Sequence, residues 1–420
     1  MFDIDKWQEI LATLTRNPLR TFLTALGVSW GIFMLIIMMG AGNGLEAGAL
    51  QEFRGTATNS MFLWARRTSE AYAGFQPNRP IRMTNDDYDA LQRLLPEARI
   101  IAPRNQLGGF RGGNNVTRGK KNGAFEIMGD YPQIRDVEGV LLNTGRFLNP
   151  LDIEEHRKVC VIGTRVQELL FEPKENPLGE YIRINDIYFQ VVGVFRTKST
   201  GDRAEQETQR IYIPFSTFQR AFNYGNRVSW FALTSQDNLP VSEMEERVMS
   251  ILKRRHSVAP TDNRAFGHFN LEQQYQRINS VFLGIRFVSW VVGILTLLAG
   301  AIGVSNIMLV IVKERTKEIG IRRAIGAKPA SIVSQIMLES VILTLFSGYA
   351  GLVLGIGLLE GIAWAMDTFK IEAGMFQAPY IQLDLAISAL IVLGVAGLFA
   401  GLLPASRAVR IRPVDALRAE

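Results

Sequence analysis

The sequence is poor in the residues that build most chemical sites. Its 420 residues include one cysteine and three histidines. Cys160 stands among valines and an isoleucine in residues 159–162, which is typical of a buried strand, and a single cysteine excludes an internal disulfide. The histidines form no His-Glu-x-x-His zinc motif. Only His256, Asp262 and His268 could form a metal set, and their spacing is more typical of loop or surface residues.

Loops that bind nucleotides are also missing. Residues 320–328 come nearest to a Walker A loop, but the gap is wrong and no hydroxyl residue follows Lys328. Gly40, Gly42 and Gly44 follow an apolar segment, whereas a dinucleotide-binding turn follows a strand. No Gly-x-Ser-x-Gly nucleophile elbow is present. The sequence therefore predicts a non-catalytic chain with no catalytic residue, no metal site and no bound cofactor.

Charged residues are absent from four long apolar segments, residues 21–41, 287–312, 340–359 and 385–404. Each is long enough to cross a bilayer, which takes about 20 residues. We predict transmembrane helices at residues 19–43, 281–312, 332–366 and 383–404. The first is a retained helix, because it is too long for a signal peptide and is followed by no convincing cleavage site.

Two acidic residues, Glu339 and Glu360, lie at opposite ends of the third helix. Ion carriers keep ionisable groups at mid-membrane depth, so this arrangement disfavours an ion-driven carrier. Glu339 is near the end that we predict to be cytosolic. There it either pairs with a basic residue or contacts water at the lipid headgroups.

Basic residues flank the helices asymmetrically. They precede the first helix and follow the second and fourth: Lys6, Arg16, Arg20, Lys313, Arg315, Lys317, Arg322, Arg323, Lys328, Arg407, Arg410, Arg412 and Arg418. Only Lys370 lies between the third and fourth. The positive-inside rule then predicts cytosolic termini and a large domain outside. The net charge of +6 comes mainly from these flanks, so we predict no nucleic-acid partner.

The predicted fold class is an α+β membrane protein with a large extracytoplasmic domain of two subdomains on a helical stalk. Stalk and domain together occupy residues 44–280, in which a strand-rich subdomain, about residues 130–235, is inserted in an α/β subdomain. Glycine-rich residues 108–115 are predicted to be a hairpin connection. The cytosolic segments are an amphipathic helix at 1–18, which lies in the membrane interface or packs on a partner, a coupling loop or helix at 313–331, and a tail at 405–420.

Small residues recur four apart in the last two membrane helices, at Gly351 and Gly355 and at Gly397 and Gly401. Such spacing lets helix backbones approach closely. These glycines are therefore predicted to pack helices, either within one chain or between the copies of a dimer.

The segment after the second membrane helix, residues 313–328, reads KERTKEIGIRRAIGAK. It resembles the signature of the FtsX-like permeases of ATP-binding cassette (ABC) systems, the group that includes MacB-type exporters and the lipoprotein-releasing permeases LolC and LolE. The resemblance spans the chain, with further matching stretches at residues 20–28, 161–163, 177–179, 182–184, 191–194, 404–408 and 413–418.

This resemblance implies a permease subunit of the bacterial inner membrane with its large domain in the periplasm. The implied partners are an ABC ATPase, which binds ATP and Mg²⁺, a second permease copy in a homodimer or heterodimer, membrane lipid and, as a further candidate, a periplasmic adaptor with an outer-membrane channel. In MacB the ATPase is fused before the first membrane helix. Here only residues 1–18 precede that helix, so we expect a separate ATPase chain.

The expected function is mechanotransmission, in which ATP hydrolysis elsewhere drives export of a substrate from the periplasmic side. Lipoprotein release, as in LolC and LolE, is an alternative within transport. FtsX itself regulates cell-wall hydrolases, and its smaller outer domain favours export here. A membrane-anchored periplasmic enzyme is the remaining alternative, which the missing catalytic motifs disfavour.

The resemblance also assigns ATPase-coupling residues in the segment after the second helix: Glu314, Arg315, Glu318, Ile319, Gly320, Ile321, Arg322, Arg323, Ala324, Ile325, Gly326 and Ala327. Arg322 and Arg323 are expected to pair with acidic residues of the ATPase. The three isoleucines are expected to fill apolar hollows on it. The alternative is a plain positively charged cytosolic loop, which would not require the ordered Glu-Ile-Gly-Ile-Arg-Arg sequence.

Overall fold

The computed structural model describes residues 18–51, 53, 55–108, 113–199, 201–236, 239–371 and 376–410. The predicted cytosolic helix at 1–18, Pro18 apart, and residues 411–420 of the tail lie outside this range. The chain divides into two compact units. We call residues 50–278 the extramembrane unit, and the residues before and after them the membrane unit.

The helices of the described residues are α1 Pro18–Gln51, α2 Asn85–Leu94, α3 Ile134–Val137, α4 Pro150–Glu154, α5 Thr164–Leu170, α6 Gly201–Thr208, α7 Phe215–Ala221, α8 Val241–Arg255, α9 Leu271–Glu314, α10 Thr316–Ala324, α11 Pro329–Thr368 and α12 Leu383–Val409. The strands are β1 Ser60–Ala65, β2 Met83–Thr84, β3 Ala98–Gln106, β4 Asn114–Arg118, β5 Lys121–Asp130, β6 Leu141–Gly145, β7 Val159–Gly163, β8 Tyr181–Ile184, β9 Ile187–Arg196, β10 Arg210–Pro214, β11 Arg227–Val228, β12 Trp230–Ser235 and β13 Phe266–Asn270.

Four helices of the described residues, α1, α9, α11 and α12, are long and apolar enough to cross a membrane. This confirms the predicted order of one membrane helix followed by three. Helix α1 continues to Gln51, beyond the predicted membrane boundary at residue 43. Helix α9 begins at Leu271, ahead of the predicted boundary at 281. Both helices therefore run through the residues predicted to form the stalk.

The core of the membrane unit draws side chains from all four of these helices, among them Ile36, Val304, Leu343 and Leu393. The predicted packing glycines lie at close approaches between them. A Cβ atom on Gly351 would lie 2.1 Å from the carbonyl oxygen of Ser29 in α1, and one on Gly355 would lie 2.8 Å from Ile36. On α12, a Cβ at Gly397 or Gly401 would lie 3.1 Å from side-chain atoms of α11: Thr344 for Gly397, Met337 and Ser340 for Gly401.

Gly351→Ala is expected to destabilise the membrane unit, because the added methyl group meets a backbone oxygen that cannot rotate away. Overpacking of this kind costs about 1–3 kcal/mol or more. Gly357→Ala is the matched control, since no heavy atom lies within 4 Å of a Cβ there. Both changes gain the same helix propensity. The thermal midpoint of the detergent-solubilised chain should fall for Gly351→Ala alone, and equal midpoints would contradict this packing.

One half of the extramembrane unit is an antiparallel sheet in the order β3-β12-β1-β13. Helix α2 lies in the connection from β1 to β3, and α8 lies in the connection from β12 to β13, which gives a split β-α-β arrangement. Its core pairs strand residues such as Leu63 and Phe231 with Leu91 of α2 and Val248 of α8. Thr84 precedes α2 as its N-cap residue, and its backbone N–H donates to the carboxylate of Asp87 at 2.9 Å.

The other half is a closed ring of six strands, in the order β5-β4-β8-β9-β7-β10, which closes because β10 also pairs with β5. Phe125, Ile162, Phe189 and Ile213 fill its interior. The ring is inserted between β3 and β12, so its strands span residues 114–214. The predicted span of about 130–235 is shifted, because β4 and β5 carry few β-branched residues and β12 belongs to the first sheet.

The predicted hairpin connection at 108–115 is wrong. Strands β3 and β4 both pair antiparallel with β5, so they run in the same direction. These two strands therefore do not form a hairpin with each other, and residues 109–112 between them lie outside the described range. The true hairpin joins β4 to β5 through Gly119, whose φ of +58° suits glycine.

The three residues considered for a metal lie in separate contacts with other side chains. Nε2 of His256 lies 2.9 Å from Asp87, and that of His268 lies 2.8 Å from Glu245. Asp262 accepts hydrogen bonds from the backbone and hydroxyl of Ser69 at 2.6 and 2.7 Å. No group of three or more His, Cys, Asp or Glu side chains in the described residues could hold a metal ion.

An ion cluster connects β3, β5 and β10. It consists of buried Arg104 and Asp130 and half-buried Glu138 and Arg210, together with the buried hydroxyl-bearing side chain of Tyr212. Arg104 donates to both oxygens of Asp130 at 2.6 and 3.0 Å and to Glu138 at 2.6 Å. Glu138 also accepts from Arg210 at 3.0 Å and Tyr212 at 2.6 Å. Burial alone would raise the pKa of Glu138, but the two arginines outweigh it and lower that pKa to about 2.

Candidate functional site

The segment with the family signature forms a helical corner on the membrane unit. Helix α9 ends at Glu314, the short helix α10 covers Thr316–Ala324, and α11 begins at Pro329. We call α10 the corner helix. Gly326 has a φ of +102°, which only glycine adopts readily, and Pro329 suits the first turn of a helix. The local sequence thus dictates both ends of the turn into α11.

One side of the corner helix is buried against the membrane unit. Ile319 is 9% exposed and belongs to the same apolar core as Ile332 and Ile336 of α11. Gly320 beside it is buried as well. The corner helix is therefore packed on α11 as part of the membrane unit.

Five polar side chains around this contact form a closed set, which we call the polar ring: Arg315, Glu318, Arg322, Gln335 and Glu339. Arg315 donates to both oxygens of Glu318 at 3.0 and 3.1 Å and to Glu339 at 3.2 Å. Arg322 contacts Glu318 at 2.8 Å and donates to Gln335 at 3.0 Å. Gln335 donates to Glu339 at 3.4 Å, which closes the ring. The sequence left two environments open for Glu339, a basic partner or water at the headgroups. In the structure Glu339 pairs with a basic residue, Arg315.

The corner helix also contacts the end of the fourth membrane helix. Nη1 of Arg323 donates to the carbonyl oxygen of Val409 at 2.7 Å. Val409 is the last residue of α12, where carbonyl groups lack partners within the helix. Arg323 thus caps α12 and links it to the corner helix.

The opposite side of the corner is exposed. It consists of Lys317, Ile321, Ala324, Ile325 and Lys328, which we call the outward face. Ile321 is 41% exposed and Ile325 is 82% exposed. Residues three and four apart lie on one side of a helix, so Lys317, Ile321 and Ala324 form one surface. An exposed apolar centre between two lysines suits contact with an apolar hollow that has acidic margins.

The predicted coupling residues lie in different environments in the structure. Glu314, Ile321, Ala324, Ile325 and Gly326 are exposed, and Ala327 is half-buried. In contrast, Ile319 and Gly320 face the core, and Arg315, Glu318, Arg322 and Arg323 bind within the chain. Arg322 and Arg323 already have contacts within the chain, and their pairing with acidic residues of a partner stays a prediction. Lys317 and Lys328 are not among the predicted coupling residues, although the four-residue spacing of Lys317 from Ile321 is readable in the sequence.

Comparisons with known proteins agree with this architecture. The family model of the MacB-like periplasmic core domain matches residues 21–251, and that of the FtsX-like permease C-terminal region matches residues 290–413. The chain belongs to the MacB/FtsX-like family of ABC transporter permeases. As a MacB/FtsX-like permease, it combines four membrane helices with a domain of the periplasmic core type.

Two relatives illustrate the match. The macrolide export ATP-binding/permease protein MacB of Bdellovibrio bacteriovorus is 29% identical over 409 residues, which are 97% of this chain and 60% of that protein. The pyoverdine export ATP-binding/permease protein PvdT of Pseudomonas savastanoi pv. phaseolicola is 29% identical over 426 residues, 99% of this chain and 60% of that protein. The chain thus spans about 60% of the length of these relatives.

Two solved structures are also similar. The periplasmic region of MacB from Actinobacillus actinomycetemcomitans is 24% identical, with a TM-score of 0.43, and covers 55% of this chain and 97% of its own. The extracellular domain of the ABC-type transporter YknZ from Gram-positive bacteria is 16% identical, with a TM-score of 0.41, and covers 50% of this chain and 100% of its own.

Proposed function

We propose that this permease works as a dimer in an ABC exporter and is driven by an ABC ATPase that docks, as a separate subunit, on the outward face. The outward face carries the proposal, because Ile321 and Ile325 are exposed within the segment that bears the family signature. A MacB/FtsX-like permease with exposed isoleucines beside lysines at this corner is suited to bind a soluble partner. The ATPase would bind ATP and Mg²⁺.

The proposed orientation places both termini and the corner helix in the cytosol and the extramembrane unit in the periplasm. Lys317, Arg322, Arg323 and Lys328 concentrate positive charge at the corner, as the positive-inside rule expects of a cytosolic segment. ATP hydrolysis on that side would then act on substrate on the other side. Macrolide and pyoverdine export belong to the names of the two relatives, and an export role here is supported by that kinship.

The proposed mechanism transmits movement through the membrane unit. When ATP binding draws two ATPase subunits together, the corner helices bound to them would move as well. Ile319 and the polar ring connect the corner helix to α11, and Arg323 connects it to α12. The apolar segments of the four membrane helices carry no Asp, Glu, Lys or Arg that would favour an ion or solute path through the bilayer.

A photo-crosslinking residue at Ile321 tests the docking. In membranes of cells that produce both proteins, we expect the residue to capture a polypeptide that mass spectrometry identifies as an ABC ATPase. The same residue at Leu354, an exposed apolar position on α11 within the predicted membrane span, is the control and should capture lipid. Equal capture of the ATPase at both positions, or capture at Ile321 of only proteins without nucleotide-binding motifs, would contradict the proposed function.

A further inference from the structure

We propose that Glu339 is a positioning residue that fixes the direction of the corner helix relative to α11, so that a push on the outward face moves both helices as one body. The inference rests on the proposed function for the origin of that push. The geometry of the corner itself is independent of it.

Glu339 is buried where a carboxylate is costly. Glu339 is 6% exposed. It lies on the membrane helix α11, near the end that the proposed orientation places in the cytosol. A buried charge is tolerated only when it is paired and hydrogen-bonded. Arg315, whose side chain is 12% exposed, supplies that partner at 3.2 Å. The pair is therefore an internal feature of the corner and is shielded from the cytosol.

Arg315 occupies the junction between α9 and the corner helix, so its contacts control the angle there. Its guanidinium holds Glu318 of the corner helix with two nitrogens and Glu339 of α11 with a third. Because guanidinium is planar, these hydrogen bonds point in fixed directions. Glu318 and Glu339 are thereby held in a defined mutual orientation.

A second connection prevents the corner helix from rolling. Arg322 joins it to Gln335, one turn before Glu339 on α11, while Arg315 joins the N-terminal end of the corner helix to Glu339 itself. A single contact would leave the corner helix free to rotate about that point. Two contacts, about two turns apart on the corner helix, define both its position and its roll.

A simple stabilising role is a poor explanation for this arrangement. Replacing a buried ion pair with well-packed apolar residues is often neutral or stabilising. An apolar contact is non-directional, whereas the polar ring specifies one orientation. The corner therefore has directional contacts where apolar packing alone would have served stability.

Glu339→Leu tests the orientation of the corner helix, and the thermal midpoint of the same variant reports its stability. Spin labels on Lys317→Cys of the corner helix and Ser334→Cys of α11, both exposed positions, report their distance in nanodiscs without ATPase. The single native cysteine, Cys160, is buried and stays unlabelled. Arg315 keeps Glu318 as a partner but loses Glu339, so we expect Glu339→Leu to fold with a lower thermal midpoint and to broaden or shift the distance distribution. Glu339→Gln, which keeps one acceptor for Arg315, should lie between Leu and wild type.

The coupling readout is the ATP hydrolysis rate of the bound ATPase. With Glu339→Leu, we expect capture at Ile321 to persist while the permease-dependent part of the rate falls about 5-fold or more. Glu360→Leu, an exposed glutamate on the same helix, is the matched control and should change neither readout. A wild-type distance distribution or an unchanged rate in Glu339→Leu would overturn the inference, and if that variant fails to fold, Glu339→Gln decides on the same terms. If wild-type Ile321 captures no ATPase, the proposed function falls, and the distance distributions still decide the role of Glu339.

Discussion

Replacing Ile321 and Ile325 with glutamate is expected to abolish binding of the ABC ATPase while the permease stays folded. Both side chains are exposed, so the change disturbs no core. Burying one such side chain in a partner contributes about 1.5–3 kcal/mol, and a glutamate in its place leaves a charge in an apolar hollow. Losing both contacts should weaken binding at least about 100-fold, since each 1.4 kcal/mol is a factor of ten. The dissociation constant between ATPase and nanodisc-embedded permease measures it.

Leu169→Glu is the matched control for this prediction. Leu169 is 43% exposed, close to the 41% of Ile321, but it lies on α5 in the extramembrane unit. It should leave the dissociation constant unchanged. Charge reversal at Arg322 and Arg323 is a poorer test, because it breaks the polar ring and the cap on α12. Unaltered affinity in the double glutamate variant would remove the outward face as the docking surface.

The number and order of the membrane helices were predictable because they depend on local composition. About 20 consecutive, predominantly apolar residues without charges indicate a membrane helix, and each of the four segments showed this without reference to any other part of the chain. The ends of the helices were less accurate. Residues 44–51 and 271–280 are only partly apolar, so the sequence separated them from the membrane spans, whereas the structure continues both helices through them.

The candidate site was predictable in its place but not in the roles of its side chains. The ordered signature at 313–328 located the corner helix. Which arginines face the chain depended on Gln335 and Glu339 of α11 and on the Val409 carbonyl of α12, and helical periodicity does not show which side those elements cover. Ile319 and Ile321 are two residues apart, so they point to different sides of a helix. One is in the core and the other is exposed.

The ion cluster of the extramembrane unit had no signal in the sequence at all. Arg104, Asp130, Glu138 and Arg210 come from four separate segments, and each alone reads as an ordinary surface charge. Only the pairing of β5 with both β3 and β10 brings these three strands together around them. A long-range arrangement of this kind follows from topology, which local patterns do not specify.

Asp130→Asn is expected to destabilise the extramembrane unit by about 3 kcal/mol, because buried Arg104 loses its bidentate partner and keeps only Glu138. Asp130 is fully buried and binds Arg104 through both oxygens, and Arg104 is 2% exposed. Asparagine offers one acceptor and turns an N–H group toward the guanidinium. Hydrogen exchange of the full chain at neutral pH should show lower protection in peptides covering β3 and β5.

The comparison with Glu126→Gln decides whether the burial of Asp130 is the cause of the expected loss of stability. Glu126 also pairs with an arginine of the cluster, Arg210 at 3.2 Å, but its side chain is 30% exposed. Water replaces such a partner, so its loss should cost no more than about 1 kcal/mol. Because the folded-state pKa of Glu138 is lowered from 4.5 to about 2, its contribution is complete above pH 4.5 and is lost as the pH falls through that range. Glu138 is therefore ionised at neutral pH, and equal protection losses in the two variants would show that the cluster behaves as surface charge.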